Sequence, residues 1–215
     1  MITSKLLSAV AGLEHGFGER GNLPPQNVIT LRQVHGTQIL MVETGEESGE
    51  TGFDSVMTRR KNTPIGIKTA DCQSLLAVDP ETQIIAAIHA GWKGTVQRAT
   101  EVSLQKMIDV GAKAERVLVA LGPSMLKSCY EVEGDVASQF QKEFPEWPEI
   151  IEQKSEKKWL LDVALTNKKQ LLKMGIHPQN IDHLEYCTHC YPDRFDSFRR
   201  DGDKSGRMVS WMKIL

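Results

Sequence analysis

Cys72 and His89 stand at the two ends of a sequence segment that reads as a β-hairpin. The segment DPET at 79–82 has the composition of a β-turn, with aspartate first and proline second. If its two central residues form the tip, the register places Cys72 directly opposite His89. Cβ atoms in such cross-strand pairs lie about 4.5–5.5 Å apart. This separation suits a shared metal ion or a direct thiol–imidazole contact.

The two strands of this hairpin, SLLAV and QIIAAIHA, are apolar on both faces. A hairpin that is buried on both sides and ends in a cysteine and a histidine beside Gly91 and Trp92 places reactive groups at the rim of a core, where pockets form. His35, in RQVHG, occupies a similar strand-to-turn junction. The alternatives are a small buried Cys72, a hydrogen-bonded core His89 and a His35 that only serves its turn.

Further segments with strand and helix periodicity show what must position these residues. The strand and helix patterns predict an α+β (mixed α/β) fold with mixed β-sheets flanked by helices. The predicted strands are NVITLRQV at 27–34, TQILMVE at 37–43, PIGIK at 64–68, RVLVALG at 116–122 and QNIDHLEYC at 179–187, and the predicted helices cover 94–112, with Gly111 as the C-cap, 135–144 and 161–176.

Length and composition restrict the function classes. A chain of 215 residues with 40% apolar residues can bury one sizeable core, which predicts a single domain over residues 1–215. The net charge of −2 provides no general electrostatic reason to bind nucleic acid or an anionic membrane. The apolar run after Lys5 is too short for a secretory signal, so we expect a cytoplasmic protein without a disulfide scaffold.

Seven motifs resemble one known family in their order along the chain. They are RQVHG, KTADC, HAGWKG, GPS followed by CYEV, LD followed by N, CT, and FRRDG followed by GR. They are similar to those of the zinc-dependent purine nucleoside phosphorylases formerly called multicopper polyphenol oxidases or laccase-domain proteins. The resemblance implies the YfiH-like fold, related to toxin glutamine deamidases. It also implies that His35, Cys72 and His89 hold one catalytic Zn²⁺.

The resemblance also implies the reaction. Members phosphorolyse adenosine, inosine, guanosine and S-methyl-5'-thioadenosine, and deaminate adenosine to inosine. Three protein ligands leave one position of a tetrahedral zinc open, as in catalytic sites, and zinc deaminases offer an analogy for the second activity. The expected partners are purine nucleosides and phosphate, with no nucleic acid or membrane, and the chain is expected to be a monomer or a homodimer.

Several residues near these motifs are candidates for substrate contacts. Arginine offers phosphate a planar fork of hydrogen-bond donors. For Arg199 and Arg200, a solvated pair on the surface is an equal alternative. Asp71 either orients a ligand, takes a proton or caps a turn, and Trp92 either stacks on a base or packs in the core. The cationic candidates are Arg32, Lys68, Lys93, Arg199 and Arg200.

The motif CTHC at 187–190 suggests metal or redox chemistry. A lone C-x-x-C lacks the second pair of a zinc ribbon, and no thioredoxin-like context surrounds it. Cys187 matches the family motif CT and is predicted to neighbour the pocket. His189 and Cys190 match nothing in the family and have no assigned role, and Cys129 is expected to be structural.

Four other functions compete with the zinc enzyme, of which a non-catalytic binding module ranks last. A metal-free cysteine hydrolase or deamidase would use His89 to activate Cys72, but it has no need of His35. An enzyme that edits cell-wall precursors would be compatible with a zinc site. A Cu²⁺ polyphenol oxidase ranks third, because a laccase needs a further copper cluster and the chain has only 6 histidines. The chain also passes from LPPQ straight into NVITLRQVHG, without a helical segment that longer members carry.

Overall fold

The computed structural model describes residues 1–215 as a mixture of short helices and three sheets. The predicted α+β class is confirmed. The strands are β1 (Leu13–Gly16), β2 (Ile39–Met41), β3 (Ser55–Thr58), β4 (Ile65–Thr69), β5 (Gln73–Asp79), β6 (Ile84–Ala90), β7 (Leu118–Leu121), β8 (Glu131–Glu133), β9 (Ile151–Gln153), β10 (Lys158–Leu161), β11 (Ile181–His183) and β12 (Met208–Ile214). The α-helices are α1 (Lys5–Ser8), α2 (Trp92–Val96), α3 (Ala99–Asp109), α4 (Gly134–Glu143), α5 (Val163–Lys173) and α6 (Phe198–Asp201).

The predicted hairpin forms the centre of a six-stranded sheet with the order β11-β7-β5-β6-β3-β2. Its predicted register is wrong by two positions. Ser74, not Cys72, lies opposite His89, because the connection contains the four residues 80–83 rather than a two-residue tip. The Asp79 carboxylate accepts the N–H groups of Glu81 and Thr82 and thereby shapes this longer loop. A slip of two residues preserves the face, so Cys72 still lies on the same side of the sheet as His89.

Both faces of the central hairpin are buried, as its unbroken apolar runs predict. Leu76 and Val78 pack with residues of β4 and β12, which form a three-stranded sheet with β1. Leu75 and Ala77 pack on the opposite face against helices α3 and α5. The six-stranded sheet is therefore the middle layer, and His89 lies on its face towards the three-stranded sheet.

The helix predicted over 94–112 is two helices, α2 and α3, separated at Arg98. Arg98 has a left-handed φ of 62°, and its guanidinium bonds Glu101 and Glu143. The C-cap of α3 is Val110, and Gly111, predicted as the cap, follows it with a left-handed φ of 112°. Helix α5 lies within its predicted range, and α4 is shifted by one residue, to 134–143.

The segment predicted as a strand at 27–34 forms no regular ladder. Ile29 and Leu31 are buried with strand-like alternation, but backbone pairing is limited to isolated bridges at Ile29–Ile65 and Arg32–Thr51. Of the strand predicted at 179–187, only residues 181–183 are a strand, β11. The motifs predicted neither the seven-residue β12 nor the small sheet of β8, β10 and β9. Residues 18–28 form a connection without a helix.

Candidate metal centre and flanking clefts

His35, Cys72 and His89 converge at one end of the central hairpin. The Cys72 Sγ and one ring nitrogen of each histidine all lie within 4.8 Å of one another, and Cys72 Sγ is 3.9 Å from His35 Nε2. Ligands at bond lengths of about 2.0–2.3 Å on one tetrahedral ion are separated by about 3.3–3.8 Å. The His/Cys/His set, hereafter the triad, could therefore bind a metal ion after small side-chain adjustments.

A buried carboxylate, Asp54, positions both histidines. It lies just before β3, and its Oδ1 accepts the backbone N–H of His35 at 2.7 Å and the ring Nδ1–H of His89 at 2.9 Å. Its Oδ2 accepts the N–H groups of Val34 and Gly36. The QVHG turn, in which His35 has a left-handed φ of 62°, is therefore wrapped around one carboxylate. Asp54 was not predicted, although a carboxylate directly before the apolar run SVM is a sequence signal.

The contact with Asp54 determines which nitrogen of His89 faces the triad. An ionised carboxylate only accepts hydrogen bonds, so Nδ1 carries the proton and Nε2 is directed to Cys72. Burial would lower the pKa of His89, but the hydrogen bonds with Asp54 and Cys72 raise it to about 9. Burial likewise raises the pKa of the Cys72 thiol, and the hydrogen bonds from His35 and His89 lower it to about 6. A metal cation would replace the proton on Nε2 of His89 and would bind Cys72 as a thiolate.

Gly91 leaves the space that the triad occupies. A Cβ at this position would lie 2.9 Å from Cys72 Sγ and 3.0 Å from His35 Cδ2. Backbone conformation is not the reason for glycine here, since the φ of −67° is open to any residue. Glycine at position 91 is thus required by the packing of the triad itself.

Two clefts open on either side of the triad. The first, of about 450 Å³, is lined by His35, Cys72 and His89 together with Arg32, Lys68 and Arg207. None of these three cations has a carboxylate within ion-pair distance. The first cleft is therefore a concave, cationic surface beside the triad. Arg207 was missed at the sequence level, although it belongs to the GR motif.

The second cleft, of about 330 Å³, carries aromatic side chains. It is lined by His35 and Cys72 together with Trp92, Tyr130 and Phe198, and also by Lys93 and Arg199. The Arg199 guanidinium lies 5.2 Å from the centre of the Tyr130 ring, and Lys93 Nζ lies 5.6 Å from that of Trp92. Tyr130 and Phe198 were not among the predicted site residues. Phe198, which is 48% exposed, borders both clefts.

Three predicted site residues have other contacts. Arg200 lines neither cleft, because its guanidinium bonds Asp201 and the carbonyls of residues 188, 189 and 195. Asp71 borders the second cleft, but its two oxygens accept Thr188 Oγ1, Ser197 Oγ and the N–H of Arg199, which anchors the chain around α6. Cys187 is buried and lines neither cleft.

Comparison with known proteins identifies the family. The model described as multi-copper polyphenol oxidoreductase laccase matches residues 8–215. The chain belongs to this family. The predicted resemblance is thus confirmed, and the matched range includes all three triad residues. The family name refers to a metal, and the triad is a group of His and Cys side chains that lies beside two clefts.

Curated members of this family carry nucleoside-related names. A purine nucleoside phosphorylase from Bacteroides thetaiotaomicron is 33% identical over 200 residues, which cover 88% of this chain and 74% of the relative. Adenosine deaminase RL5, from an unknown prokaryotic organism, is 30% identical over 190 residues, 84% of this chain and 72% of the relative. These two names describe different reactions on nucleosides.

Solved structures share the fold. YlmD from Geobacillus stearothermophilus aligns with a TM-score of 0.86 at 24% identity, over 98% of this chain and 94% of that one. The hypothetical protein YfiH from Bacillus licheniformis aligns with a TM-score of 0.82 at 25% identity, over 88% and 74%. The YfiH-like fold is therefore confirmed. None of the helices in this chain combines the length and apolar character needed to cross a bilayer.

Proposed function

We propose that residues 1–215 form one zinc-dependent purine nucleoside enzyme domain. It would cleave adenosine, inosine, guanosine and S-methyl-5'-thioadenosine with phosphate to the free base and ribose 1-phosphate, and would deaminate adenosine to inosine. The observation that carries this proposal is the convergence of His35, Cys72 and His89 between a cationic cleft and an aromatic one. The names of the relatives support the substrate class.

The donor set fits zinc. Two imidazoles and a thiolate are ligands that Zn²⁺ accepts, and three protein ligands leave a fourth position for water or substrate. When bound, the ion would supply Lewis acidity and an activated water molecule near neutral pH. Asp54 holds His89 in the tautomer that offers Nε2, and the buried Oδ1 of Asp54 also fixes the turn that presents His35.

The two clefts suggest a division of the substrate. The unpaired cations Arg32, Lys68 and Arg207 suit the phosphate that attacks the ribose carbon, since guanidinium and ammonium groups bind phosphate oxygens through charge-assisted hydrogen bonds. Trp92 and Tyr130 offer aromatic surfaces to a purine ring in the second cleft. The ribose would then lie beside the triad, with its reactive bond between the two clefts.

Chromatography of adenosine incubated with the purified protein, with and without phosphate, tests this function. The proposal expects adenine release that depends on phosphate, or inosine formation, and loss of both in His89→Ala. The exposed His177→Ala variant is the matched control and should retain activity. Lys68→Ala should raise the KM for phosphate without changing inosine formation.

Other outcomes distinguish the rival functions. Turnover that persists in His35→Ala after complete metal removal would favour a Cys72–His89 hydrolase or deamidase, because such a dyad needs only two side chains. A copper-loaded protein that oxidises phenols and leaves nucleosides unchanged would favour the polyphenol oxidase. A zinc-loaded protein without activity on any of the four nucleosides would contradict the proposal and direct the search to cell-wall precursors.

A further inference from the structure

Three of the four cysteines in the chain gather at a second place, separate from the triad. Cys129 ends a short 3-10 helix after β7, and Cys187 and Cys190 belong to the CTHC motif. The sulfur atoms of Cys129 and Cys190 are 3.2 Å apart, although the two residues are 61 positions apart in the sequence. The fold thus supplies to CTHC the additional thiol that a lone C-x-x-C lacks.

A histidine completes this second cluster. The ring of His189 has a nitrogen within 4.8 Å of both sulfur atoms, and this ring makes no hydrogen bond in the structure. Cys187 belongs to the same turn, in which its backbone carbonyl accepts the N–H of Cys190 at 3.2 Å. Three thiols and one imidazole are the ligands of a Cys₃His site, in which soft sulfur donors select zinc over calcium or magnesium.

We propose that Cys129, His189 and Cys190, with Cys187 as the fourth ligand, bind a second zinc ion that has a structural role. Two thiolates on one zinc are about 3.8 Å apart, so Cys129 and Cys190 need to separate by about half an ångström. Both sulfur atoms are at or near the surface, where rotation of the side chains permits this movement. A disulfide would use only two of the four donors and would leave the imidazole without a role.

The proposed ion would join two segments that both reach the candidate active site. Tyr130, which lines the second cleft, directly follows Cys129. Thr188, between the cysteines of CTHC, donates its hydroxyl hydrogen bond to Asp71, the neighbour of Cys72. A metal at the cluster would hold these segments together at the back of the second cleft, without itself contacting the substrate.

Zinc content of the full-length protein tests this inference independently of nucleoside turnover. After purification under reducing conditions and dialysis, mass spectrometry of the metal should find two zinc ions per chain in the wild type. Cys190→Ser and Cys72→Ser should each retain one, and His177→Ala should retain two. If Cys190→Ser does not fold, Cys129→Ser or His189→Ala takes its place.

Cobalt provides a second readout. In a Cys72→Ser background, cobalt(II) should still give a near-ultraviolet thiolate-to-metal charge-transfer band, and the band should disappear when Cys190→Ser is added. A folded Cys72→Ser protein without this band would overturn the proposal. Two zinc ions per chain in Cys190→Ser would also overturn it. A wild-type mass lower by two hydrogens, with Cys129 and Cys190 linked, would do the same, because that result shows a disulfide.

Discussion

At the residue scale, the candidate active site depends on a few residues that contact the triad but are not themselves ligands. Asp54 contacts both histidines, and Gly91 leaves room for Cys72 and His35. Neither residue would bind a metal ion itself. Both determine whether the three ligand atoms can reach one ion at the same time. Substitution of either residue should therefore lower the metal affinity, although neither is a ligand.

Asp54→Asn should weaken zinc binding by about 10- to 100-fold, because the amide would direct an N–H group at donors that now bond a carboxylate oxygen. Competition with a chromophoric chelator measures the affinity. Asp79→Asn is the control: Asp79 is another buried aspartate that accepts several N–H groups, but it lies at the far end of the hairpin. Equal zinc affinity in Asp54→Asn and wild type would show that Asp54 does not position the ligands.

Gly91→Ala should also weaken zinc binding, by at least about tenfold, since its Cβ would approach Cys72 Sγ to 2.9 Å and displace it. The metal-free protein should lose little stability, because His35 is exposed and can move aside. Isothermal titration with zinc, together with circular dichroism of the metal-free variant, separates the two effects. Unchanged affinity in the alanine variant would mean that the triad shifts without loss when it binds metal.

At the scale of secondary structure, the β5–β6 hairpin is held at its tip by Asp79. The buried Oδ2 of Asp79 accepts the N–H of Lys113 and bonds the Arg116 guanidinium at 2.7 Å. Burial would raise the pKa of Asp79, but the hydrogen bonds from Arg116 and from backbone N–H groups lower it below its ordinary value. The residue that shapes the loop of the hairpin is therefore also an electrostatic link between the end of β5 and the segment before β7.

This link makes part of the stability depend on pH. A carboxyl whose pKa is lower in the folded state stabilises the protein above the unfolded value of 3.8. That contribution is lost as the pH falls from 3.8 through the folded pKa. Asp79→Asn should lower the free energy of unfolding by about 2–4 kcal/mol at pH 7. It should also weaken the dependence of this free energy on pH below 3.8. Urea unfolding between pH 7 and pH 2 measures both, and the exposed Asp193→Asn should behave like wild type.

At the scale of the whole molecule, the triad unites distant parts of the fold. His35 comes from a loop before β2, Cys72 from the β4–β5 connection and His89 from the end of β6. Cys72 directly precedes β5, and His89 lies near the end of β6 in the same six-stranded sheet, whereas His35 belongs to a loop outside the sheets. A metal ion at this site would therefore tie the His35 loop to the central hairpin, and its binding should stabilise the fold.

Removal of metal should accordingly lower the melting temperature. A ligand at about 1,000 times its Kd stabilises the native state by about 4 kcal/mol, and each kcal/mol shifts Tm by about 2–4 °C in a chain of this size. Excess chelator should thus lower the wild-type Tm by roughly 8–16 °C, and by clearly less in His35→Ala. Calorimetry with and without chelator measures this, and an identical shift in both proteins would assign the stabilisation to another site.

Local sequence patterns determined much of the protein. Turn chemistry and unbroken apolar runs predicted the central hairpin, and helical spacing with Gly111 predicted the end of α3. The motifs around His35, Cys72 and His89 identified the family and the residues that converge. These features are local, because they depend on backbone preference and on which residues avoid water.

Tertiary structure decided the features that depend on distant residues. The loop of the hairpin is held by the bonds of Asp79 with Lys113 and Arg116, and the break at Arg98 by its ion pair with Glu143. Asp54 became part of the site only because β3 pairs with β6 and brings its carboxylate beside His89. Tertiary packing likewise brings Cys129 beside Cys190, which is 61 residues away in the sequence. Such contacts arise from the three-dimensional packing of layers, which no local pattern encodes, and they determine which reactive side chains meet.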